Sequence, residues 1–277
     1  MLKTRIITAV ALLAVLLPVL FFKNQPAFAV VVLAFFGAAV WESFRLFKNP
    51  QPLLAAVIWS AAFGYTFLLT GVHGPVTFWL VLSAAIWLLR FAPTLKTGLP
   101  PLEGLGNTLL SLVYPVTLVS CFVAIIVLFQ RSPQYLLSAM ALVWVADIGA
   151  YFSGKAFGKR KLAPSISPGK SWEGVYGGCL AVLALSALSI ALAPGMPWLQ
   201  DTFAVAVQAK RGWVMTVLIL LVIVAASVIG DLFESMLKRR AAFKDSSNLL
   251  PGHGGVLDRI DALVPVLPLA ALISVGL

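Results

Sequence analysis

Charge is what this chain has least of. Asp, Glu, Lys and Arg together make up 11% of its 277 residues, against 61% hydrophobic residues and a mean hydropathy of +1.00. That balance leaves too little polar surface to coat a water-soluble globule. Histidine and cysteine are scarcer still, at two each. Cys121 and Cys179 fall in separate apolar runs, with no CxxC pair and no histidine at ligand spacing, which sets aside a zinc site and leaves packing as their role. The chain also lacks an internal repeat, the usual mark of a secondary transporter.

What is present in abundance is long apolar sequence. Apolar stretches of about 20 residues with few or no charges, enough to cross a bilayer as helix, lie near 5–22, 27–44, 52–70, 75–92, 107–129, 134–154, 174–193, 212–237 and 256–277. The expected fold is therefore an all-α membrane protein, a polytopic bundle of about nine transmembrane helices in one domain over 1–277. Between Lys48 and Arg90 the chain carries no charge for about twice one span, so it must turn, and Gly71-Val72-His73-Gly74-Pro75 is the natural place. Lys3, Arg5 and Ala27-Phe28-Ala29 have the look of a signal peptide with its cleavage site. The apolar run from Ile6 to Phe22 is longer than a usual signal core and a second apolar segment follows at once, so the first span is read as a true one.

Lys and Arg divide unequally between the two sides of such a bundle. Lys3, Arg5, Arg45, Lys48, Arg90, Lys96, the basic residues from Lys155 to Lys170, Lys238 to Arg240, Lys244 and Arg259 share one side. Lys23, Arg131, Lys210 and Arg211 take the other, a split of 16 to 4 among the 20. The bias places the N-terminus and the loops near 155–173 and 238–255 in the cytoplasm of an inner-membrane protein. It also accounts for the net charge of +10, with attraction to anionic lipid headgroups added, and no nucleic-acid motif accompanies it.

Acidic residues number only ten, and several lie where a carboxylate is expensive. Asp147 is roughly 10 Å inside the cytoplasmic end of the sixth span, Asp231 is late in the eighth, and Asp258 and Asp261 open the ninth. Four aspartates from three helices thus converge on one membrane face. Asp231, Ser235 and Lys238 share one helical face at i, i+4 and i+7, and Asp258 and Asp261 share another at i and i+3. A structural alternative is that each carboxylate merely neutralises Arg259, Lys238 or another neighbour.

Two cytoplasmic loops supply groups suited to phosphate. Pro251-Gly252-His253-Gly254-Gly255 brings backbone amides into reach of an anion just before a helix, although it also reads as a plain tight turn. The loop from Lys155 to Glu173 offers Ser165, Ser167, Lys170 and Ser171. Its Gly169-Lys170-Ser171 is not a P-loop, because Pro164 stands where the first glycine belongs.

From Ser235 to Asp261 the chain reads SMLKRRAAFKDSSNLLPGHGGVLDRID. This stretch resembles the signature of the integral-membrane phosphatidate cytidylyltransferases, also called CDP-diglyceride synthases. The S-x-x-K-R-x4-K-D opening is present as Ser235, Lys238, Arg239, Lys244 and Asp245. The H-G-G-x-x-D-R-x-D close is present as His253, Gly254, Gly255, Asp258, Arg259 and Asp261. A second region, Trp144 to Gly174, resembles the family in Asp147, Lys155 and the ISPGKSWEG segment, with Gly169-Lys170 where members often carry two basic residues. The first 100 residues share only hydropathy, so the catalytic region is expected in about 144–261.

The resemblance implies transfer of CMP from CTP to phosphatidate, giving CDP-diacylglycerol and pyrophosphate, with magnesium required and room for a second cation. On this reading Asp231, Asp258 and Asp261 hold metal, with Lys238 and Arg259 completing the catalytic set. Asp147, Ser167, Lys170, Ser171, Ser235, Arg239, Lys244, Asp245, Gly252, His253, Gly254 and Gly255 bind substrate. The expected partners are CTP, phosphatidate and membrane lipid, without nucleic acid and with homodimer formation open. A CTP-dependent polyprenol or phytol kinase is the nearest alternative, ahead of a transporter.

Overall fold

A computed structural model describes residues 2–22, 24–69 and 76–276. The expected turn at Gly71–Pro75 lies outside the described residues. Helices α1 (Leu2–Phe21) and α2 (Gln25–Leu46) are separated by Asn24, whose side chain accepts the Ala27 amide and caps α2. Pro52 opens α3 (Pro52–Phe63), which loosens into a π-helix over Gly64–Leu69. α4 (Val76–Ile86) runs through a π-turn at Trp87–Phe91 into α5 (Ala92–Thr97). α6 (Leu105–Arg131) and α7 (Pro133–Phe157) meet at Ser132, whose hydroxyl accepts the Tyr135 amide.

The 155–173 segment, expected as a loop, forms an antiparallel hairpin of β1 (Lys161–Ala163) and β2 (Ser167–Ser171). α8 (Trp172–Leu192), short α9 (Pro197–Gln200) and α10 (Phe203–Arg240) follow. α10 is interrupted at Gly212, where φ is 73° and ψ 175°, so its membrane portion begins where the eighth span is expected. The ninth span is divided: α11 (Leu257–Ile260) holds Asp258, and the apolar helix α12 (Leu263–Val275) starts only after Asp261.

Seven helical segments among the described residues are long and apolar enough to cross a membrane. Ile6–Phe21 and Leu263–Val275, at the two ends of the chain, are apolar but shorter, the latter only 13 residues. The expected nine spans thus resolve into seven of spanning length and two shorter apolar helices.

α6 and α12 form the centre, with Leu118, Cys121, Val123, Val264, Leu267 and Ala270 fully buried. Phe91 stacks on Phe233 at 4.4 Å between ring centroids, tying the α4–α5 segment to α10. α7 and α8 approach closely because small residues face each other. A Cβ at Gly178 would lie 2.8 Å from the Ala146 carbonyl, and one at Gly149 2.7 Å from the Ala181 methyl. Large apolar side chains such as Leu53, Ile58, Leu88, Leu180 and Val214 point outward, as a lipid-facing surface requires.

Candidate active site

Three elements meet beside the α7–α8 contact. α7 contributes Asp147 and Lys155, β2 contributes Ser167 and Lys170, and α10 contributes Asp231, around a cavity of about 490 Å³ walled by Ala146, Val224 and Val228. The hairpin explains how Lys170 reaches this place: pairing of Lys161 with Ser171 holds β2 across the cavity mouth. The Lys170 ammonium pairs with Asp231 Oδ2, and Ser235 Oγ donates to Asp231 Oδ1 at 3.3 Å. Both members of the pair stay partly open, at 27% and 29% exposure, so the ammonium and carboxylate can be re-engaged by a ligand. Ser171 lines the cavity but is spent on capping α8, its hydroxyl accepting the Gly174 amide at 3.2 Å.

A second polar cluster lies further along α10. Lys238 bridges Glu234, one helical turn before it, and Asp258 Oδ1 at 2.6 Å on α11. Asp258 Oδ2 accepts the Ser246 amide at 2.8 Å, the Ser246 hydroxyl at 2.9 Å and the Gly255 amide at 2.8 Å. Three donors on Oδ2 and one on Oδ1 tie Asp258 to the loop and to Lys238, and leave one lone pair on Oδ1.

Asp261 stands between the clusters. A Cβ at Gly230, the residue before Asp231, would sit 2.5 Å from the Asp261 carbonyl, so only glycine permits this approach of α10 to the start of α12. Asp261 Oδ1 accepts the Ala262 amide at 2.8 Å.

The glycine turn differs from the expected anion cradle. The His253 amide donates to the Leu250 carbonyl at 2.8 Å, and the Gly255 amide is taken by Asp258. Gly252 and Gly254 have φ of 77° and 85°, so they serve the turn geometry. Arg259 Nε folds back to the His253 carbonyl at 3.0 Å. Arg239, Lys244 and Asp245 are exposed at the same end of the bundle.

Two further buried acids belong to this architecture. Glu234 is fully buried beneath Lys238. Glu42 on α2, also fully buried, accepts from the segment that carries Asp258. Both sit inside apolar runs, the signal already used for Asp147 and Asp231, and Glu234 is four residues from Lys238.

The profile of the cytidylyltransferase family matches residues 3–275. The chain is 40% identical to a phosphatidate cytidylyltransferase of Pseudomonas aeruginosa over 98% of its own length and 96% of the relative's. It is 35% identical to that of Haemophilus influenzae, covering 97% and 96%. Identity to that of Bacillus subtilis is 31%, over 96% and 95%.

Proposed function

The chain belongs to the cytidylyltransferase family, and from that premise we propose that it transfers CMP from CTP to phosphatidate, releasing pyrophosphate and forming CDP-diacylglycerol for phospholipid biosynthesis. The observation that carries the reading is the Lys170–Asp231 pair across a cavity that also holds Asp147 and Lys155. A paired lysine and carboxylate at the end of a membrane helix suit a substrate whose phosphate lies at headgroup level and whose acyl chains stay in the bilayer. In this reading the basic end of the bundle faces the cytoplasm of a bacterial inner membrane, where CTP is found.

Magnesium takes one or two carboxylates together with substrate phosphate oxygens. Asp231 fits that requirement and shares the cavity lining with Asp147, while Asp261, whose backbone carbonyl packs against Gly230, is the carboxylate next to them outside that lining. Among the described residues no three acidic, His or Cys side chains form a ready cage; Asp258, whose carboxylate the loop and Lys238 keep aligned, would be the further ligand to such an ion. When bound, the ion neutralises negative charge on the phosphates.

The protein's own groups do the rest. Lys170 and Lys155 hold phosphate oxygens at the cavity mouth, and Arg239, Lys244 and Arg259 attract the polyphosphate of CTP. The phosphatidate oxygen, already anionic, attacks the α-phosphorus; the bond to the bridging oxygen breaks and pyrophosphate leaves with its electron pair. No protein nucleophile is required: Cys121 is buried in α6, Cys179 lies within α8, and the lysines are phosphate ligands. A single displacement inverts phosphorus. The test is turnover of CTP carrying sulfur at a chiral α-phosphorus. Inversion in a phosphatidate-dependent product supports the reading, and net retention overturns the direct displacement.

A further inference from the structure

Glu42 takes no part in the chemistry above, yet it is built into the loop that supports it. Its carboxylate is fully buried near the end of α2 and meets four groups: Ser247 Oγ at 2.5 Å, the Val256 amide at 3.0 Å and the Leu257 amide at 2.6 Å donate to it, and Ser246 Oγ at 3.2 Å shares its single proton between Glu42 and Asp258. Two donors precede the Pro251–Gly255 turn and two follow it, so one side chain closes the loop at its base. A buried carboxylate in an apolar helix is costly unless such donors surround it, and here none of the four is charged.

The loop is shaped to admit this group. A Cβ at Gly255 would fall 2.0 Å from Ser246 Oγ and 2.4 Å from Glu42 Oε1, so glycine at 255 makes room for the carboxylate. Arg45, one turn along α2, donates to the Ser246 carbonyl at 3.2 Å. The same Ser246 hydroxyl lies 2.9 Å from Asp258 Oδ2, whose other oxygen holds Lys238. A continuous polar path therefore runs from α2 through Ser246 and Asp258 to Lys238 on α10.

We propose that Glu42 is a positioning residue for cytidylyl transfer, clamping the 246–257 loop so that Asp258 and Lys238 keep their alignment. This rests on the function proposed above. An amide at position 42 accepts through one oxygen only and turns its own N–H groups toward the remaining donors, which leaves the Val256 or Leu257 amide unpaired.

The experiment compares wild type with Glu42→Gln and, in parallel, Ser247→Ala, which removes one donor without touching the carboxylate. Two readouts are taken: amide hydrogen exchange, and steady-state kinetics with CTP and phosphatidate. Expected for Glu42→Gln is faster exchange confined to about residues 246–258, with kcat lowered at least about tenfold, roughly 1.4 kcal/mol of barrier, and KM for CTP within about threefold. Ser247→Ala should show the same pattern more weakly, and decides the matter if Glu42→Gln fails to accumulate in membranes. Unchanged loop exchange, exchange raised throughout α2 and α6, or kcat within threefold of wild type would overturn the clamp. Wild-type protein that forms no CDP-diacylglycerol would instead refute the proposed function, while the exchange result would still judge the loop.

Discussion

Replacing Lys238 with methionine tests the second polar cluster most sharply. Lys238 is 14% exposed and holds two carboxylates, Glu234 at 0% and Asp258 at 4% exposure. Methionine fills similar space but removes the only charge between them. Asp258 keeps its three other donors, whereas Glu234 has no partner among the described residues besides the Lys238 ammonium, so its hold on the structure is that ion pair. Removing one partner of a buried pair costs about 3–5 kcal/mol. For a chain of this size that corresponds to a fall of roughly 6–20 °C in the thermal transition, measured in mild detergent by tryptophan fluorescence. Adding Glu234→Gln to Lys238→Met removes the orphaned charge and should recover more than half of that loss, on the order of 2 kcal/mol. Turnover should remain absent in the double variant, because the ammonium that aligns Asp258 is still missing. A single variant melting within about 2 °C of wild type, or a double variant no more stable than the single, would refute the argument.

Asp231→Asn and Lys170→Met should each lower kcat by about a hundredfold or more, near 2.7 kcal/mol, without changing thermal stability or membrane insertion. Their combination should lose little more than either alone, as expected of a pair acting as a unit. Gly255→Ala should destabilise by about 1–3 kcal/mol through collision with Ser246 and Glu42. Gly195→Ala, where an added Cβ meets nothing within 4 Å, should melt as wild type does. Single cysteines at the exposed positions Ser165 and Asn248 should react with an impermeant thiol reagent only after cells are permeabilised, and one at Ala209 should react in intact cells. The reverse pattern would invert the topology.

Much of this architecture was legible because a bilayer constrains sequence strongly. Apolar length located the helices, and scarce carboxylates inside them pointed to Asp147 and Asp231, which the structure brings to one cavity with Lys170. Less was legible where hydrogen bonding decides the outcome. Nothing in HGGxxDRxD shows that Asp258 is held by Ser246, Gly255 and Lys238, since that depends on how the loop closes. The short hairpin at Lys161–Ser171 carries no alternating pattern and is rich in Pro and Gly, so it read as loop. Glu42 carries the same signal, a carboxylate inside an apolar run, but its partners lie more than 200 residues away, so no local motif encodes what it holds.

On the proposed function, CMP rather than the terminal phosphoryl group passes to phosphatidate at the Lys170–Asp231 cavity. The direct measurement uses purified protein in mixed micelles with magnesium, phosphatidate and CTP radiolabelled at either the α- or the γ-phosphorus. Expected are α-label in the lipid extract and γ-label in pyrophosphate, with both signals lowered by about a hundredfold or more in Asp231→Asn. Label from the γ-position in lipid, or turnover in Asp231→Asn matching that of wild type, would contradict it.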